Sequence, residues 1–478
     1  MCDKDRKPRI GLFLIGSRRF RTVGEGTARG AYKLRKEREA ELMKNELAKD
    51  FDVVFPGIVY EAEEVDAAIR LFFNEKVDFV LAIFLSWTED FGWIRFLRDM
   101  PPVPVLFAHL IRESVELGDT HDEDEFCEYL CCGGLVGSLE GSGSFARWGR
   151  DMSESFAGRW EELVARARVF GAAAKTRSIL RESRVGLLAC YNEVMWSTYV
   201  DPYTVFANAG PELSFFSVAE LEEYTAAVDD ERVAEVCRGL EKKYERLPGV
   251  EDEKLAASVR ATLGMEELAR EKGLDLLVLN DIDTVLFRRI GLRPGFYPTD
   301  GQVRTLIVPE GDLGAGLASY ILRVIGGRRI HFVEPFHIDA VTDTFEGGHA
   351  GPNDYLESEG GFIAKDVRFA KTGYKYAGAP FLWHVFPAGM CTMLHVSQHN
   401  GRFIMTAAPV EALPCRPHLA TYSHGRFRMV GQSCAEYFGK LMRIGVTQHF
   451  AVAAGDHVEE ALELGRMLGF ETHDLSAK

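Results

Sequence analysis

The sequence has fewer positively charged than negatively charged residues. Its 478 residues include 56 Lys and Arg against 72 Asp and Glu, which gives a formal net charge of −16 at pH 7. Nucleic-acid binding depends on Lys and Arg side chains clustered at phosphates. The charge balance therefore argues against DNA or RNA as a partner.

Long apolar runs are also missing. A membrane-spanning helix needs about 20 consecutive apolar residues, and no window of this sequence comes close. Residues 1–9 (MCDKDRKPR) are polar and lead directly into a strand pattern, without the apolar core of a signal peptide. We therefore expect a soluble, cytoplasmic protein with no membrane partner.

The nine cysteines form no CxxC pair, so a disulfide framework is not expected. Cys127, Cys131 and Cys132 follow His121 and could be imagined as a zinc site. Two thiols four residues apart in an apolar helix are more often buried packing. Packing is the favoured interpretation here.

The first part of the chain alternates apolar strands with helices. Runs at 9–16, 51–56, 77–84 and 103–108 predict strands that are buried on both faces, and 30–47 and 61–74 predict helices. Parallel strands joined by helices need right-handed crossovers. Residues 1–182 are therefore predicted to form a Rossmann-like, doubly wound α/β domain.

A second α/β start appears at 184–190, which echoes residues 9–14. Further strands at 274–279 and 303–308 predict a second Rossmann-like domain over 183–328. Beyond this point, segments such as 401–407 and 426–431 are short, β-rich and interrupted by turns. Residues 329–478 are predicted to form a β-rich, small barrel-like domain.

Two glutamates follow predicted strands on either side of one predicted helix. Asp312 is placed to begin this helix, and glycines 326 and 327 to end it. If the segment is a parallel βαβ unit, Glu310 and Glu334 emerge at one sheet edge, where ligands bind. Two such carboxylates repel unless a cation or a shared proton neutralises them. A solvated loop position for each glutamate remains the alternative.

Two histidines extend this pattern. His349 ends the turn Glu346-Gly-Gly-His349, and His449, next to Gln448, is predicted to follow an apolar strand near the C-terminus. Carboxylate and imidazole together suit Mn²⁺, Fe²⁺, Co²⁺ or Zn²⁺ better than Ca²⁺, which takes oxygen ligands.

At these residues the sequence resembles the L-arabinose isomerase and L-fucose isomerase family, and is closer to the arabinose branch. The similarity is scattered over most of the chain, at 10–17, 185–201, 264–268, 310–312, 332–334, 348–349 and 449. The resemblance implies a metal-dependent aldose–ketose isomerase that works through an enediolate. It implies that Glu310, Glu334, His349 and His449 bind a divalent metal, with Mn²⁺ first among the candidates. Glu310 and Glu334 would also move protons.

The resemblance also implies two Rossmann-like domains followed by the β-rich one, and a homo-oligomer built from trimers, such as a hexamer. The partner would be a small-molecule sugar. No nucleotide cofactor is expected, because the last glycine of Gly24-Glu-Gly26-Thr-Ala-Arg-Gly30 stands one residue too late for GxGxxG.

The sequence departs from the arabinose pattern after its first strand. The family's glycine-serine-glutamine run is replaced by Gly16-Ser17-Arg18-Arg19-Phe20-Arg21. The sequence therefore does not identify which sugar is the substrate. Arg18 is a candidate substrate contact, because guanidinium groups bind anionic groups through paired hydrogen bonds. Exposure to water, or ion pairing within the protein, is the alternative.

Two further substrate contacts are predicted at strand ends. His109 matches a histidine that, in the arabinose branch, approaches the pocket of a neighbouring subunit. Trp87 follows another buried strand and shares this edge. A hydrogen bond to a loop is the simpler role for His109, and His395 and His399 are interpreted as structural.

Two other functions remain open. A metal-dependent epimerase or lyase would use the same intermediate and partition it differently. A sugar-binding relative without catalysis would have no need of two carboxylates at a metal.

Overall fold

The computed structural model describes residues 6–112, 123–150, 152–290, 294–327, 329–356, 358, 360–367, 378–419 and 422–476. The chain divides into two compact units. The smaller comprises Asp3–Ser178 with Arg466–Leu468, and the larger contains Ile179–Gly465 and Gly469–Lys478. The predicted boundary at 328/329 falls inside the larger unit, and its status as a domain boundary stays a prediction.

The smaller unit contains a five-stranded parallel sheet in the order β2-β1-β3-β4-β5. Its strands are β1 (Arg9–Ile15), β2 (Asp52–Val54), β3 (Phe79–Phe84), β4 (Val105–Leu110) and β5 (Ser153–Gly158). Its helices are α1 (Tyr32–Leu47), α2 (Ala62–Asn74), α3 (Phe91–Asp99), α4 (Glu123–Cys132), α5 (Leu135–Trp148) and α6 (Trp160–Glu182), of which α6 continues into the larger unit. The predicted parallel α/β character of this region is confirmed.

Aromatic rings fill the space between this sheet and its helices. The ring centroids of Phe13 and Phe96 lie 4.4 Å apart, and those of Trp93 and Phe107 lie 5.0 Å apart. The indole N–H of Trp93 donates to the carbonyl of Gly141 at 2.9 Å, so the buried ring keeps no unpaired polar atom. This packing explains why the central strands are continuous apolar runs.

The larger unit begins with a four-stranded parallel sheet in the order β10-β9-β6-β7, next to a small sheet in the order β14-β13-β8. The strands are β6 (Arg184–Leu188), β7 (Glu212–Phe216), β8 (Glu245–Arg246), β9 (Leu276–Leu279), β10 (Leu306–Val308), β13 (Phe362–Lys365) and β14 (Pro380–Trp383). The helices are α7 (Pro202–Thr204), α8 (Val218–Ala226), α9 (Asp230–Lys243), α10 (Asp252–Glu271), α11 (Thr284–Ile290) and α12 (Leu313–Gly326). Within the described residues, every helix is too short or too polar to cross a lipid bilayer.

The C-terminal part is a closed antiparallel barrel of six strands, in the order β15-β18-β11-β12-β17-β16, with β16 pairing back to β15. These strands are β11 (Ile330–Asp339), β12 (Thr344–Ala350), β15 (Gly389–His399), β16 (Arg402–Leu413), β17 (Tyr422–Met429) and β18 (Phe450–Ala454). A seventh strand, β19 (Glu471–Asp474), runs parallel to β16, and the helices are α13 (Cys434–Ile444) and α14 (Val458–Met467). The predicted β-rich, barrel-like region is confirmed.

The hairpin between β15 and β16 turns at Asn400 and Gly401. Both residues have positive φ, 50° and 81°. Asn-Gly suits a two-residue turn with positive φ at both positions, which matches the twist of the paired strands.

The predicted parallel βαβ unit around α12 is wrong. β10 belongs to the parallel sheet, whereas β11 pairs antiparallel with both β12 and β18 in the barrel. Glu334 also lies within β11 rather than after it. The polar second half of β11, with His337 and Asp339, suits a barrel strand with one solvated side, not a strand buried on both faces.

Candidate metal centre

Four predicted ligands meet within the larger unit. One carboxylate oxygen of Glu310 lies 3.2 Å from Nε2 of His349, and the other lies 3.3 Å from Nε2 of His449. These three residues are buried, and their donor atoms all lie within 4.8 Å of one another. The Oε1 atom of Glu334 lies 3.4 Å from Nε2 of His449, and its side chain is 26% exposed. The result is a buried Glu-His-His group that could hold a metal ion, with a second glutamate at its more open side.

Glu310 is presented by a strained turn that follows β10. Its φ is 65°, in the left-handed region that few residues other than glycine adopt. The backbone N–H of Glu310 donates to Oδ1 of Asp281 at 3.0 Å, which holds the turn. Gly311 continues the turn with φ 67°, and a Cβ there would lie 3.1 Å from both the Asn192 nitrogen and the Cys190 carbonyl oxygen. The backbone thus fixes where the Glu310 carboxylate points.

His349 lies on β12, which packs closely against β17. A Cβ on Gly348 would stand 2.0 Å from the carbonyl oxygen of Ser423, so only glycine permits this approach of the two strands. The His349 ring is fully buried and meets the Phe332 ring edge to face, with centroids 5.0 Å apart. Nε2 of His349 faces the Glu310 carboxylate at 3.2 Å, outside hydrogen-bond geometry, and Nδ1 has no hydrogen-bond partner among the described residues. A metal ion would satisfy Nε2 and the neighbouring carboxylate together.

His449 directly precedes β18, so the prediction that it follows an apolar strand is wrong. Asp312 holds the His449 ring from its other side. The Nδ1–H group of His449 donates to Oδ2 of Asp312 at 2.8 Å, which leaves Nε2 facing Glu310 and Glu334. A carboxylate in this position orients a histidine for metal binding. Asp312 also caps α12, because its Oδ1 accepts from the backbone N–H of Ala315 at 2.9 Å. The capping role was predicted; the contact with His449 was not, because residues 312 and 449 are far apart in sequence.

His395 supports the same segment. Its Nδ1–H group donates to the carbonyl oxygen of His449 at 2.7 Å, and its Nε2 accepts from the backbone N–H of Thr447 at 3.4 Å. Burial lowers the pKa of His395 to about 4, so the ring is neutral and able to donate and accept. This agrees with the structural role predicted for it.

The electrostatics of the cluster favour a positive charge at its centre. Burial alone would lower the pKa of His449, but the nearby carboxylates of Asp312, Glu310 and Glu334 outweigh it and raise the pKa well above its ordinary value. Burial alone would raise the pKa of the Glu310 carboxyl, but His349 and His449 hold that pKa well below its usual range. Three carboxylates around one imidazole therefore retain a proton or attract a cation.

The donor distances also match a metal site. Adjacent ligands of an octahedral ion with bonds of about 2.1 Å stand roughly 3.0 Å apart. The observed separations of 3.2, 3.3 and 3.4 Å are close to that value. Carboxylate oxygens with imidazole nitrogens fit Mn²⁺, Fe²⁺, Co²⁺ or Zn²⁺.

The other predicted contacts lie in the smaller unit. The Arg18 side chain is 62% exposed and pairs with Glu61 at 3.4 Å. The guanidinium of Arg19 lies 4.9 Å from the Trp87 ring centroid and pairs with Glu89 at 2.6 Å. The arginines after β1 thus have internal carboxylate partners, as the alternative to substrate binding anticipated.

His109 lies within β4, and its Nδ1 is 2.8 Å from the hydroxyl oxygen of Ser138. Burial, with a smaller effect of Arg112, lowers the pKa of His109. The half-buried ring therefore already has a local hydrogen-bond partner.

The packing interpretation of the α4 cysteines agrees with the structure. Cys131 is buried in a cluster with Tyr32 and Tyr60. His121 lies outside the described residues, so the zinc alternative there is not addressed.

No protein-family model matches this sequence, and no curated protein matches it either. A function for this chain is therefore inferred from its site residues.

Proposed function

We propose that this chain is a metal-dependent aldose–ketose isomerase of the L-arabinose isomerase and L-fucose isomerase type. The identity of its sugar substrate is not assigned. The observation that carries the proposal is the convergence of Glu310, Glu334, His349 and His449. The fully buried His349 faces Glu310 at 3.2 Å through Nε2, outside hydrogen-bond geometry. The sheet order β2-β1-β3-β4-β5 supports the Rossmann-like part of the proposal, since 2-1-3-4-5 is a doubly wound order.

Mn²⁺ is the cation we propose for these four ligands. A divalent cation here would supply positive charge beside the oxygens of an enediolate, which forms when a proton beside the sugar carbonyl is removed. No nucleotide cofactor enters this proposal, because the chemistry moves a proton and no hydride carrier is needed.

Glu310 and Glu334 are proposed as the proton carriers, with different tasks. Both oxygens of Glu310 face imidazoles at 3.2 and 3.3 Å, and its side chain is 12% exposed. Glu334 places one oxygen 3.4 Å from His449 and is 26% exposed. Glu334 is therefore better placed to take a proton from a sugar carbon, whereas Glu310 is better placed to hold charge and serve the sugar oxygens. General acid and base catalysis of this kind contributes about 10²–10⁴-fold.

A panel of neutral pentoses and 6-deoxyhexoses, incubated with the protein and Mn²⁺ and analysed by NMR after EDTA treatment, tests the reaction. We expect a ketose from at least one aldose. Glu310→Gln and Glu334→Gln should each lower turnover by at least about 10²-fold. Glu411→Gln is the matched control, because Glu411 lies on the barrel strand β16 and pairs with exposed Arg428 at 3.5 Å.

The products separate the competing functions. A C2 or C4 epimer without ketose would favour the epimerase, and cleavage fragments the lyase. Sugar binding by calorimetry without any product would favour a non-catalytic relative. Each of these outcomes would overturn the isomerase proposal.

A homo-oligomer in the cytoplasm, trimer-based or hexameric, belongs to the same proposal. Five large apolar side chains within residues 194–206 are exposed: Val194, Trp196, Tyr199, Tyr203 and Phe206. Exposed apolar groups at this density are typical of interaction surfaces. Light scattering of the wild type and of Trp196→Ser with Tyr203→Ser measures the assembly directly, and a monomeric wild type would contradict it.

A further inference from the structure

A second group of metal-binding side chains lies on the barrel, and the sequence analysis did not single it out. Cys415 follows β16, His418 lies in the loop beyond it, and His424 lies on β17. The Cys415 Sγ atom is 3.8 Å from Nδ1 of His418, and this nitrogen is 3.2 Å from Nε2 of His424. The three donor atoms all lie within 4.8 Å of one another.

These separations are those of a tetrahedral zinc site. With Zn–N bonds of about 2.05 Å and a Zn–S bond of about 2.3 Å, tetrahedral geometry places two nitrogens roughly 3.3 Å apart and a nitrogen and sulfur roughly 3.6 Å apart. The observed values are 3.2 and 3.8 Å. These two separations are within a few tenths of an ångström of the tetrahedral values, and the third pair lies within 4.8 Å.

Each imidazole is also anchored through the nitrogen that would not bind the metal. Nε2 of His418 lies 3.1 Å from a carboxylate oxygen of Glu346, and Nδ1 of His424 lies 2.7 Å from the carbonyl oxygen of Tyr422. Zinc-binding histidines characteristically donate their second N–H to a carboxylate or a backbone carbonyl. Glu346 is itself held by Arg426 at 2.8 Å. The outer contacts of a metal site are thus in place.

Hydrogen bonding within the cluster is the alternative to a bound metal. Nδ1 of His418 lies 2.9 Å from the Arg416 carbonyl oxygen, a contact that satisfies one nitrogen when it carries a proton. The same His418 nitrogen lies 3.2 Å from Nε2 of His424 and 3.8 Å from the Cys415 Sγ atom. His424 is fully buried, so its nitrogen gains most from a dedicated partner.

The strand register places His424 and His349 on opposite faces of the barrel wall. Directly paired residues of antiparallel strands point to the same face, and neighbours along a strand alternate. His349 pairs with Ser423, whereas Gly348 pairs with His424 and Glu346 with Arg426. His349 therefore shares its face with the core residues Phe345 and Phe427, and His424 lies on the other side.

We propose that Cys415, His418 and His424 form a second, separate metal site that binds Zn²⁺. A thiolate with two imidazoles is a donor set that zinc prefers and that hard cations such as Mg²⁺ avoid. Three protein ligands leave a fourth tetrahedral position for a solvent molecule. The ion would tie the loop after β16 to β17.

Cobalt titration tests this site independently of the first one, which contains no sulfur. Co²⁺ bound to a thiolate gives a sulfur-to-metal charge-transfer band in the near ultraviolet. We expect this band in the wild-type protein, its displacement by added Zn²⁺, and its persistence in His349→Ala. Persistence in His349→Ala would show that the band reports the second site alone.

The side chains substituted to test this zinc site are partly or fully exposed, so the variants are expected to fold. Cys415→Ser should abolish the band, His418→Asn should weaken or abolish it, and Glu346→Gln should weaken Zn²⁺ binding by about 10–100-fold through the lost anchor. Cys237→Ser, a partly buried thiol on α9, is the matched control and should keep the band. A wild-type protein without the band at excess Co²⁺, or a band that survives in Cys415→Ser, would overturn the proposal.

Discussion

Asp312→Asn separates two tasks that one side chain performs. In the native protein, one Asp312 oxygen caps α12 at Ala315 and the other accepts the Nδ1–H group of His449. Asn caps helices about as well as Asp, so α12 should keep its start. With its oxygen at the helix, the new amide NH₂ group faces His449 and turns Nδ1 into an acceptor. The ring proton then moves to Nε2, the atom that faces Glu310 and Glu334.

A protonated Nε2 has no lone pair for a cation. Loss of an orienting carboxylate lowers metal affinity by about 10–100-fold, or roughly 1.4–2.7 kcal/mol. Asp312→Ala removes the cap as well, so its free energy of unfolding in EDTA should be about 1 kcal/mol below that of Asp312→Asn. The two variants thus divide the metal effect from the helix effect.

Mn²⁺ affinity is measured by the electron paramagnetic resonance signal of free Mn²⁺, and stability by urea unfolding in EDTA. Ser433→Ala is the matched control, since Ser433 caps α13 by accepting from the Glu436 N–H at 3.1 Å. This variant should lose about 1 kcal/mol of stability and keep its Mn²⁺ affinity. If Asp312→Asn binds Mn²⁺ as tightly as the wild type, the Asp312–His449 bond does not orient a ligand and the reasoning fails.

Three further predictions concern stability. Mn²⁺ at 100 times its Kd should raise the free energy of unfolding by about 2.7 kcal/mol; an equal rise in His349→Ala would contradict the assigned site. Burial lowers the pKa of His331 to about 4, below the roughly 6.5 of an unfolded histidine, so protonation favours unfolding and stability should fall from pH 6.5 toward 4 by about 3 kcal/mol. His331→Phe keeps the ring stacked on Phe386, whose centroid lies 4.1 Å away in the native protein. Urea unfolding at pH 7.5 and pH 5 should show a smaller loss of stability at pH 5 in this variant than in the wild type. An equal loss would show that His331 is not its cause. Burial raises the pKa of Glu266 to about 7, although Thr299 donates hydrogen bonds to its carboxylate. Ionisation of Glu266 should therefore lower the free energy of unfolding as pH rises from 4.5 to 7. Glu266→Gln should remove this pH dependence in the same assay.

The parallel strands could be predicted because their environment imposes a local pattern. β1 and β3 are buried on both faces, so each is a continuous apolar run that stands out from its surroundings. The position of β11 could not be predicted in this way. Its first four residues, Ile330–Val333, are as buried as a parallel strand. The sheet it joins is decided by pairing with β18, which lies more than a hundred residues away.

In the candidate sites, too, some features could be predicted from the local sequence and others only from the fold. Glu310 and Asp312 lie two residues apart, and the helix cap could be predicted from that local pattern. His349 and His449 stand out as imidazole candidates in the sequence, but the resemblance alone implies that they are ligands. Only the fold shows that Asp312 contacts His449. Cys415, His418 and His424 lie within ten residues of one another, so their Cys-x2-His-x5-His spacing was a local signal that could have identified this cluster.

Neighbouring barrel strands explain how ligands so distant in sequence come to share one site. In the order β18-β11-β12, each strand supplies one group: His449 directly precedes β18, Glu334 lies on β11, and His349 lies on β12. Adjacent strands are about 4.8 Å apart, which places donor atoms of three successive strands within reach of one ion.

The strand register then makes the arrangement stiff. Glu334 pairs with Gly348, and Val333 with Phe450, so a slip of one residue in either ladder would turn a ligand to the other face of the wall. Glu310 enters from the parallel sheet on a turn fixed by Asp281. Because both supports are backbone structures, the donor atoms are already near their bound positions before a metal arrives, and binding needs little rearrangement of the fold.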